Sequence, residues 1–290
     1  MTENLNTVDG RQRLRIERRL GHPPAKVWRA LTEPDELRHW FPAEVRLEPR
    51  AGGRITFGAD SDQDFSVITA YDPPRLLAFG WGGDTLRFEV TPDGPGSLLV
   101  FEHTFDTRSA AASYASGWQA CFEGLDRVLA GRPAELPGEP SAAAHEHFVR
   151  AFGLDEGAAE TTEAGWRVRF DRQLTQPAEK VWAVLLAAGP DPAAEPVVGG
   201  PVPAGFGHES FPAAAVAAVD APRLCEYGWR ADDSDPGQPV GRIRWELAAG
   251  TGHGARLLLT VTGPEQLSGH RDAALTGWRR RINELADQLR

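Results

Sequence analysis

The chain has 290 residues, a formal charge of −10 and only two cysteines, Cys121 and Cys225. That length suits two domains of ordinary size, each able to bury a core without disulfides or metal. The acidic balance argues against a phosphate-backbone partner, which needs a clustered basic face. The cysteines form neither a CxxC motif nor a disulfide framework and read as buried thiols in a reducing cytoplasm.

Residues 1–10 are polar, with no apolar stretch of signal-peptide length. No run of about 18 apolar residues occurs anywhere, so no membrane span is expected and the localisation reads as cytoplasmic. Abundant arginine against two lysines, with much Ala, Gly and Pro, suits a GC-rich bacterial source.

In chain order, Arg13 to Leu20 reads as a strand, with Leu14, Ile16 and Leu20 on one face by period-2 alternation. The basic run Arg11, Arg13, Arg15, Arg18 and Arg19 around it reads as a solvated strand face. Pro23 and Pro24 then suit the first turn of a helix whose apolar stripe is Val27, Trp28 and Leu31. Thr32, with Asp35 three residues on, reads as the cap of a second short helix carrying Leu37, Trp40 and Phe41 inward.

From Val45 to about Phe105 short alternating runs are broken by Gly52-Gly53, Asp72-Pro73-Pro74, Gly82-Gly83-Asp84 and Asp93-Gly94-Pro95-Gly96, the punctuation of an antiparallel meander. Asp84, Arg87 and Glu89 are expected to face solvent there. A helix from about Ser109 to Ala130 follows, with Tyr114, Trp118, Phe122, Leu125 and Leu129 at helical spacing and Gly131 as its stop.

Gly131 to Gly165 is rich in Ala, Glu, Gly and Pro and reads as a linker with one short helix around Ser141 to Phe152. The text then repeats itself. Ala25-Lys26-Val27-Trp28 returns as Glu179-Lys180-Val181-Trp182, carrying the only two lysines of the chain. Asp72-Pro73-Pro74-Arg75-Leu76 returns as Asp220-Ala221-Pro222-Arg223-Leu224, Arg87-Phe88-Glu89 as Arg244-Trp245-Glu246, and Gly117-Trp118 as Gly277-Trp278. Order is kept and spacing drifts by loop-sized amounts, so the chain is a tandem duplication. The expected domains are 10–132 and 165–290, joined by 133–164. Each is α+β, a curved antiparallel sheet with a long C-terminal helix across it.

Pro24-Ala25-Lys26-Val27-Trp28-Arg29-Ala30-Leu31-Thr32, Leu37 to Trp40-Phe41, Gly52-Gly53-Arg54-Ile55-Thr56-Phe57, Asp72-Pro73-Pro74-Arg75-Leu76, Phe101-Glu102-His103-Thr104 and Gly117-Trp118 together resemble the Hsp90-ATPase-activator-homologue (AHSA1-like) branch of the START-like, or SRPBCC, superfamily. The resemblance covers nearly all of the first unit and, more weakly, Trp166 to Arg290. It implies a helix-grip fold, with an apolar cavity between sheet and helix. The second unit departs from the pattern at Ala187 to Gly207, a Gly/Pro/Ala-rich stretch with no counterpart of Trp40-Phe41. The chaperone-activating member of the family owes part of its action to a separate N-terminal domain with no counterpart here, so a chaperone partner has no support in the sequence.

Trp40, Phe57, Phe79, Trp81, Phe88, Phe101, Trp118 and Phe122 are the candidate lining of a pocket for a flat apolar molecule, and core filling is the competing reading. His103 shares the apolar face of its strand with Leu99, Phe101 and Phe105, so it points inward, as a satisfied structural histidine or as a base. The second unit is expected to carry Thr260 or Thr262 in that region. His145-Glu146-His147 lies in the linker and lacks the spacing of a metal site. Gly250-Thr251-Gly252-His253-Gly254 joins two predicted strands and reads as a hairpin turn rather than a phosphate cradle. No metal and no cofactor are expected.

The first unit is therefore expected to hold a small hydrophobic ligand, with the second as scaffold or pseudo-dimer partner, in a monomer or a homodimer. Binding of ~300 Å² of apolar surface at ~25 cal/mol per Å² gains about 7 kcal/mol before association costs, which limits affinity to micromolar in the absence of polar anchors. Two other readings stand beside it. One is an enzyme of the cyclase or hydratase kind using His103 with Arg54 or Tyr114, and the other is a chaperone- or stress-linked interaction module.

Overall fold

The computed structural model describes residues 2–58, 65–132, 141–188, 195–231, 238–252 and 254–290. Parts of the expected linker (133–140) and of the divergent stretch (189–194), together with Met1 and His253, lie outside the described residues. The chain divides into two units, Met1–Phe148 and Val149–Arg290.

The first unit opens with β1 (Thr2–Val8) and β2 (Arg11–Leu20), paired antiparallel so that Val8 faces Arg11 across the two-residue turn Asp9-Gly10. Both turn residues have positive φ, 51° and 80°. An Asp-Gly pair adopts this hairpin turn readily, because its backbone twist matches the strands. A polar segment thus becomes an edge strand through its turn rather than through apolar alternation.

In β2, Leu14, Ile16 and Leu20 are buried as the alternation requires. Arg18 shares their parity. It is not a solvated surface charge like Arg13, Arg15 and Arg19, for it turns inward, pairs with Asp126 and lies 5.6 Å from the Phe122 ring centre.

Helices α1 (Pro24–Thr32) and α2 (Pro34–Leu37) follow, each with a proline in its first turn. Thr32 does not cap α2: its hydroxyl donates back to the Trp28 carbonyl at 2.9 Å, and Glu33 occupies the cap position. Trp40 and Phe41 come just after α2 and are buried, Trp40 donating its indole N–H to Ala30 O at 2.8 Å.

The meander is β3 (Val45–Leu47), β4 (Arg54–Phe57), β5 (Phe65–Asp72), β6 (Leu76–Trp81), β7 (Asp84–Asp93) and β8 (Gly96–Phe105). All pairs are antiparallel, in the order β1-β2-β8-β7-β6-β5-β4-β3. Helix α3 (Ala111–Leu129) lays Trp118 and Phe122 on Phe101, with ring centres 4.5 and 5.3 Å apart. Gly124 lets the Trp40 segment close on α3, since a Cβ there would sit 3.2 Å from Trp40 Cβ. Truncating a ring as buried as Trp40 would cost about 3–5 kcal/mol.

Helix α4 (Ala142–Ala151) spans the boundary of the two units, its first turn satisfied by Ser141 Oγ accepting from the Ala144 N–H at 3.1 Å. The second unit repeats the plan with β9 (Ala158–Thr162), β10 (Gly165–Gln173), α5 (Ala178–Ala187), β11 (Ala213–Asp220), β12 (Leu224–Trp229), β13 (Gly241–Ala249), β14 (Ala255–Gly263) and α6 (Gly269–Gln288). Its sheet order is β11-β12-β13-β14-β10-β9. Like β1, β9 is a polar edge strand in a stretch whose composition reads as linker.

No strand corresponding to β3 or β4 occurs among the described residues of the second unit, yet a trace of that hairpin survives. Gly52 and Gly53 bracket Ile68 by backbone hydrogen bonds of 2.8 and 2.9 Å, and Gly199 and Gly200 bracket Val216 in the same way at 2.9 and 3.0 Å. After Gly200 come Pro201 and Pro203, which lack the N–H groups that a ladder requires. An arginine again turns inward from the strand preceding the first helix, Arg172 donating to Asn283 of α6 as Arg18 does to Asp126 of α3. The architecture is thus the expected α+β arrangement, two antiparallel sheets each gripping a long C-terminal helix.

Candidate ligand-binding site

The strand register decides which side chains meet inside the first grip. Trp81 pairs with Asp84, Phe79 with Leu86 and Leu77 with Phe88. Leu86 pairs in turn with His103, and Phe88 with Phe101. Cross-strand partners share a face, so Trp81, Asp84 and His103 all look toward α3. Asp84 has the same parity as Leu86, Phe88 and Val90. It is therefore on the apolar face and not among the solvent-facing charges, whereas Arg87 and Glu89 do lie outside and pair at 2.6 Å.

Of the nine predicted lining residues, Trp40, Phe79, Phe88, Phe101, His103, Trp118 and Phe122 are at most 3% exposed. Their rings pack on one another: Trp40 stacks on Phe122 at 6.2 Å, Phe79 on Phe88 at 6.1 Å, and Phe88 tilts on Phe101 at 4.8 Å. These seven form the aromatic core of the grip. Phe57 and Trp81 are half-buried and form a rim, Trp81 lying 5.5 Å from Phe41, 5.9 Å from Phe57 and 5.9 Å from Trp118.

Beside the rim lies a polar corner. Trp118 donates its indole N–H to His103 Nδ1 at 3.1 Å. The His103 proton is therefore on Nε2, which lies 3.0 Å from Asp84 Oδ2 and donates to it. Tyr114 O–H donates to the same oxygen at 3.1 Å. Burial, then the Asp84 charge and this hydrogen bond, push the Tyr114 pKa up to about 12, so the phenol keeps its proton. Arg11 Nη2 stands 3.6 Å from Asp84 Oδ1, while the guanidinium donates to Asp106 at 2.5 Å and to Gly83 O at 3.1 Å. Both nitrogens of His103 are engaged within the protein, and it is fully buried, whereas the Asp84 side chain is 20% exposed.

The second grip rewrites this corner. By register Val261 takes the place of His103, and Gly241 that of Asp84; Thr260 and Thr262 lie on the other face, so neither stands in for His103. On the helix, with Trp278 equivalent to Trp118, Ala274 replaces Tyr114. The Trp229 indole fills the vacated room, and a Cβ at Gly241 would collide with it. Buried Trp278 keeps its ring but its N–H has no acceptor among the described residues.

The rim differs as well. A Cβ added at Gly117 would meet no described atom within 4 Å, whereas one at Gly277 would lie 2.5 Å from His208 Nε2. His208 packs on Trp278 at 4.9 Å and on Phe211 at 5.7 Å, and its Nδ1 accepts from the Ser210 N–H at 3.1 Å. At Gly277 an imidazole thus fills the space that no described atom enters at Gly117.

Other sequence candidates fall elsewhere. Arg54 is exposed with its guanidinium 4.1 Å over the Phe65 ring, away from the polar corner that Tyr114 joins. His145 and Glu146 are buried on α4, 3.3 Å apart, and among the described residues no group of three or more His, Cys, Asp or Glu is placed to hold a metal. Residues 250–254 join β13 to β14, the Gly250 N–H donating to Gly254 O at 3.0 Å and the Thr251 N–H to the buried Gln173 side chain. No helix of the described residues is long and apolar enough to cross a membrane.

Fold and site together define a helix-grip domain with an aromatic interior, present twice. Residues 21–130 match the family described as "Activator of Hsp90 ATPase homolog 1-like protein", and this segment is an AHSA1-like domain. Among solved structures, CalU16 from Micromonospora echinospora is 20% identical over 52% of this chain and 94% of its own, with a TM-score of 0.41. A conserved protein of unknown function from Enterococcus faecalis, EF2215, is 21% identical over 51% of this chain and 89% of its own, with a TM-score of 0.43. MLL2253 from Mesorhizobium loti is 27% identical over 41% of this chain and 97% of its own, with a TM-score of 0.37. No curated protein matches the chain significantly.

Proposed function

We propose that the first unit binds a small, flat, apolar molecule at the rim formed by Phe57, Trp81, Tyr114 and Gly117, over the ring of Trp118, and that the second unit is a closed scaffold. One observation carries the reading. At equivalent positions of the two units a Cβ on the helix glycine would meet no described atom at Gly117 and would meet His208 at Gly277. Two half-buried aromatic side chains, Phe57 and Trp81, over a packed aromatic floor suit an apolar guest.

The engagement of both His103 nitrogens favours binding over catalysis with His103 as base, since neither nitrogen is left to exchange a proton with a guest. The test is calorimetric titration of 2-methoxynaphthalene into the wild-type chain and Gly117→Leu. Binding that Gly117→Leu reduces at least about tenfold agrees with the reading, and equal binding by both proteins, or none by either, contradicts it.

A further inference from the structure

The polar corner indicates which chemical feature the guest carries. The donors of its inner chain are spent internally: Trp118 Nε1–H on His103, His103 Nε2–H on Asp84 Oδ2, and Tyr114 O–H on the same oxygen. What remains toward the rim is an acceptor. Asp84 Oδ1 accepts no hydrogen bond from the described residues, and Arg11, at 3.6 Å, directs its own hydrogen bonds to Asp106 and Gly83. A carboxylate has about four lone-pair sites, and two donors on one oxygen leave the other available. Asp84 pairs across the β6–β7 hairpin with Trp81, so this oxygen belongs to the same face as the aromatic rim.

Building on the proposed binding reading, we infer that Asp84 is the specificity-determining residue of the site, and that the guest is an aromatic molecule bearing a neutral O–H or N–H donor directed at Oδ1. A cationic group is disfavoured because the Arg11 guanidinium already supplies positive charge beside that oxygen. An acceptor-only guest finds no unspent donor on Trp118, His103 or Tyr114. The second unit lacks the feature altogether, with Gly241 in this position and the Trp229 indole over it.

Titrating the full chain with 2-naphthol and with 2-methoxynaphthalene, which differ by capping the donor with a methyl group, tests the inference. The expected result is that 2-naphthol binds about tenfold or more tightly, a charge-assisted hydrogen bond being the difference. Asp84→Ala should erase that preference while 2-methoxynaphthalene still binds, and Asp84→Asn should erase it too, because its one amide oxygen is held by His103 and Tyr114 and its NH2, a donor, is left toward the rim. Equal wild-type affinities, or a preference that survives in Asp84→Ala, would overturn the role of Asp84 and leave the rim site standing. If neither compound binds the wild-type chain, the rim site and the inference fall together.

Discussion

The indole N–H of Trp118 donates to His103 Nδ1 at 3.1 Å, and this single bond sets the tautomer through which His103 holds Asp84. In the second unit the matching tryptophan, Trp278, is equally buried but has no acceptor among the described residues, Val261 standing where the imidazole would be. Removing the N–H should therefore have unequal consequences. Trp118→Phe should lower stability by about 1–2 kcal/mol more than Trp278→Phe, and His103→Ala, which strands the Trp118 donor, takes one hydrogen bond from Asp84 and opens a cavity, by about 2–4 kcal/mol. Scanning calorimetry that resolves the transitions of the two units measures both, and equal losses for the two tryptophan variants would contradict this account.

The helix glycines give a second internal comparison. Gly117→Ala should stabilise the first unit by about 0.5–1 kcal/mol, the ordinary helix gain where a Cβ meets open space. Gly277→Ala should destabilise the second unit by about 1–3 kcal/mol, since the Cβ would displace an imidazole packed on Trp278 and Phe211. Thermal unfolding of the two variants checks the opposite signs.

The stability of the second unit should also depend on pH through His208. Burial, opposed by the Glu209 charge, lowers its pKa below the ordinary 6.5. A base with a depressed folded-state pKa binds more protons when unfolded, so stability is full above 6.5 and declines as pH falls from there toward the folded value. His208→Gln should flatten the profile of melting temperature against pH in that window, and an unchanged slope would show that another group is responsible.

Cys121 and Cys225 are both buried, and burial pushes each thiol up to about 12. Neither should react with an aromatic disulfide reagent at neutral pH in the native protein, and both should react after denaturation. Rapid native labelling of either would mean that its unit opens locally far more often than its packing implies.

The sequence made the duplication and the sheet-and-helix plan legible, because the repeated phrases keep their order and the apolar positions of α3 and α6 recur at helical spacing. The edge strands β1 and β9 were hidden by their polarity: each is half of a two-residue hairpin, and only the Asp9-Gly10 turn signals one of them. Asp84 could have been found by parity, since it alternates with Leu86, Phe88 and Val90, but its charge pointed outward. The same conflict misplaced Arg18, whose parity with Leu14 and Ile16 outweighs its charge once Asp126 supplies a partner. The filling of the second grip beside Gly277 was not legible, because His208 reaches its place only through the packing of the segment before β11.

Fluorine NMR of protein labelled with 5-fluorotryptophan decides whether the rim of the first unit takes a guest while the filled rim of the second does not. Its nine tryptophan resonances are assigned by single Trp→Phe variants and followed during titration with 2-naphthol. The account predicts that Trp81 and Trp118 shift together with saturation, while Trp229 and Trp278 stay in place. Shifts at Trp229 and Trp278, or none at Trp81 and Trp118 under saturating binding, would contradict it.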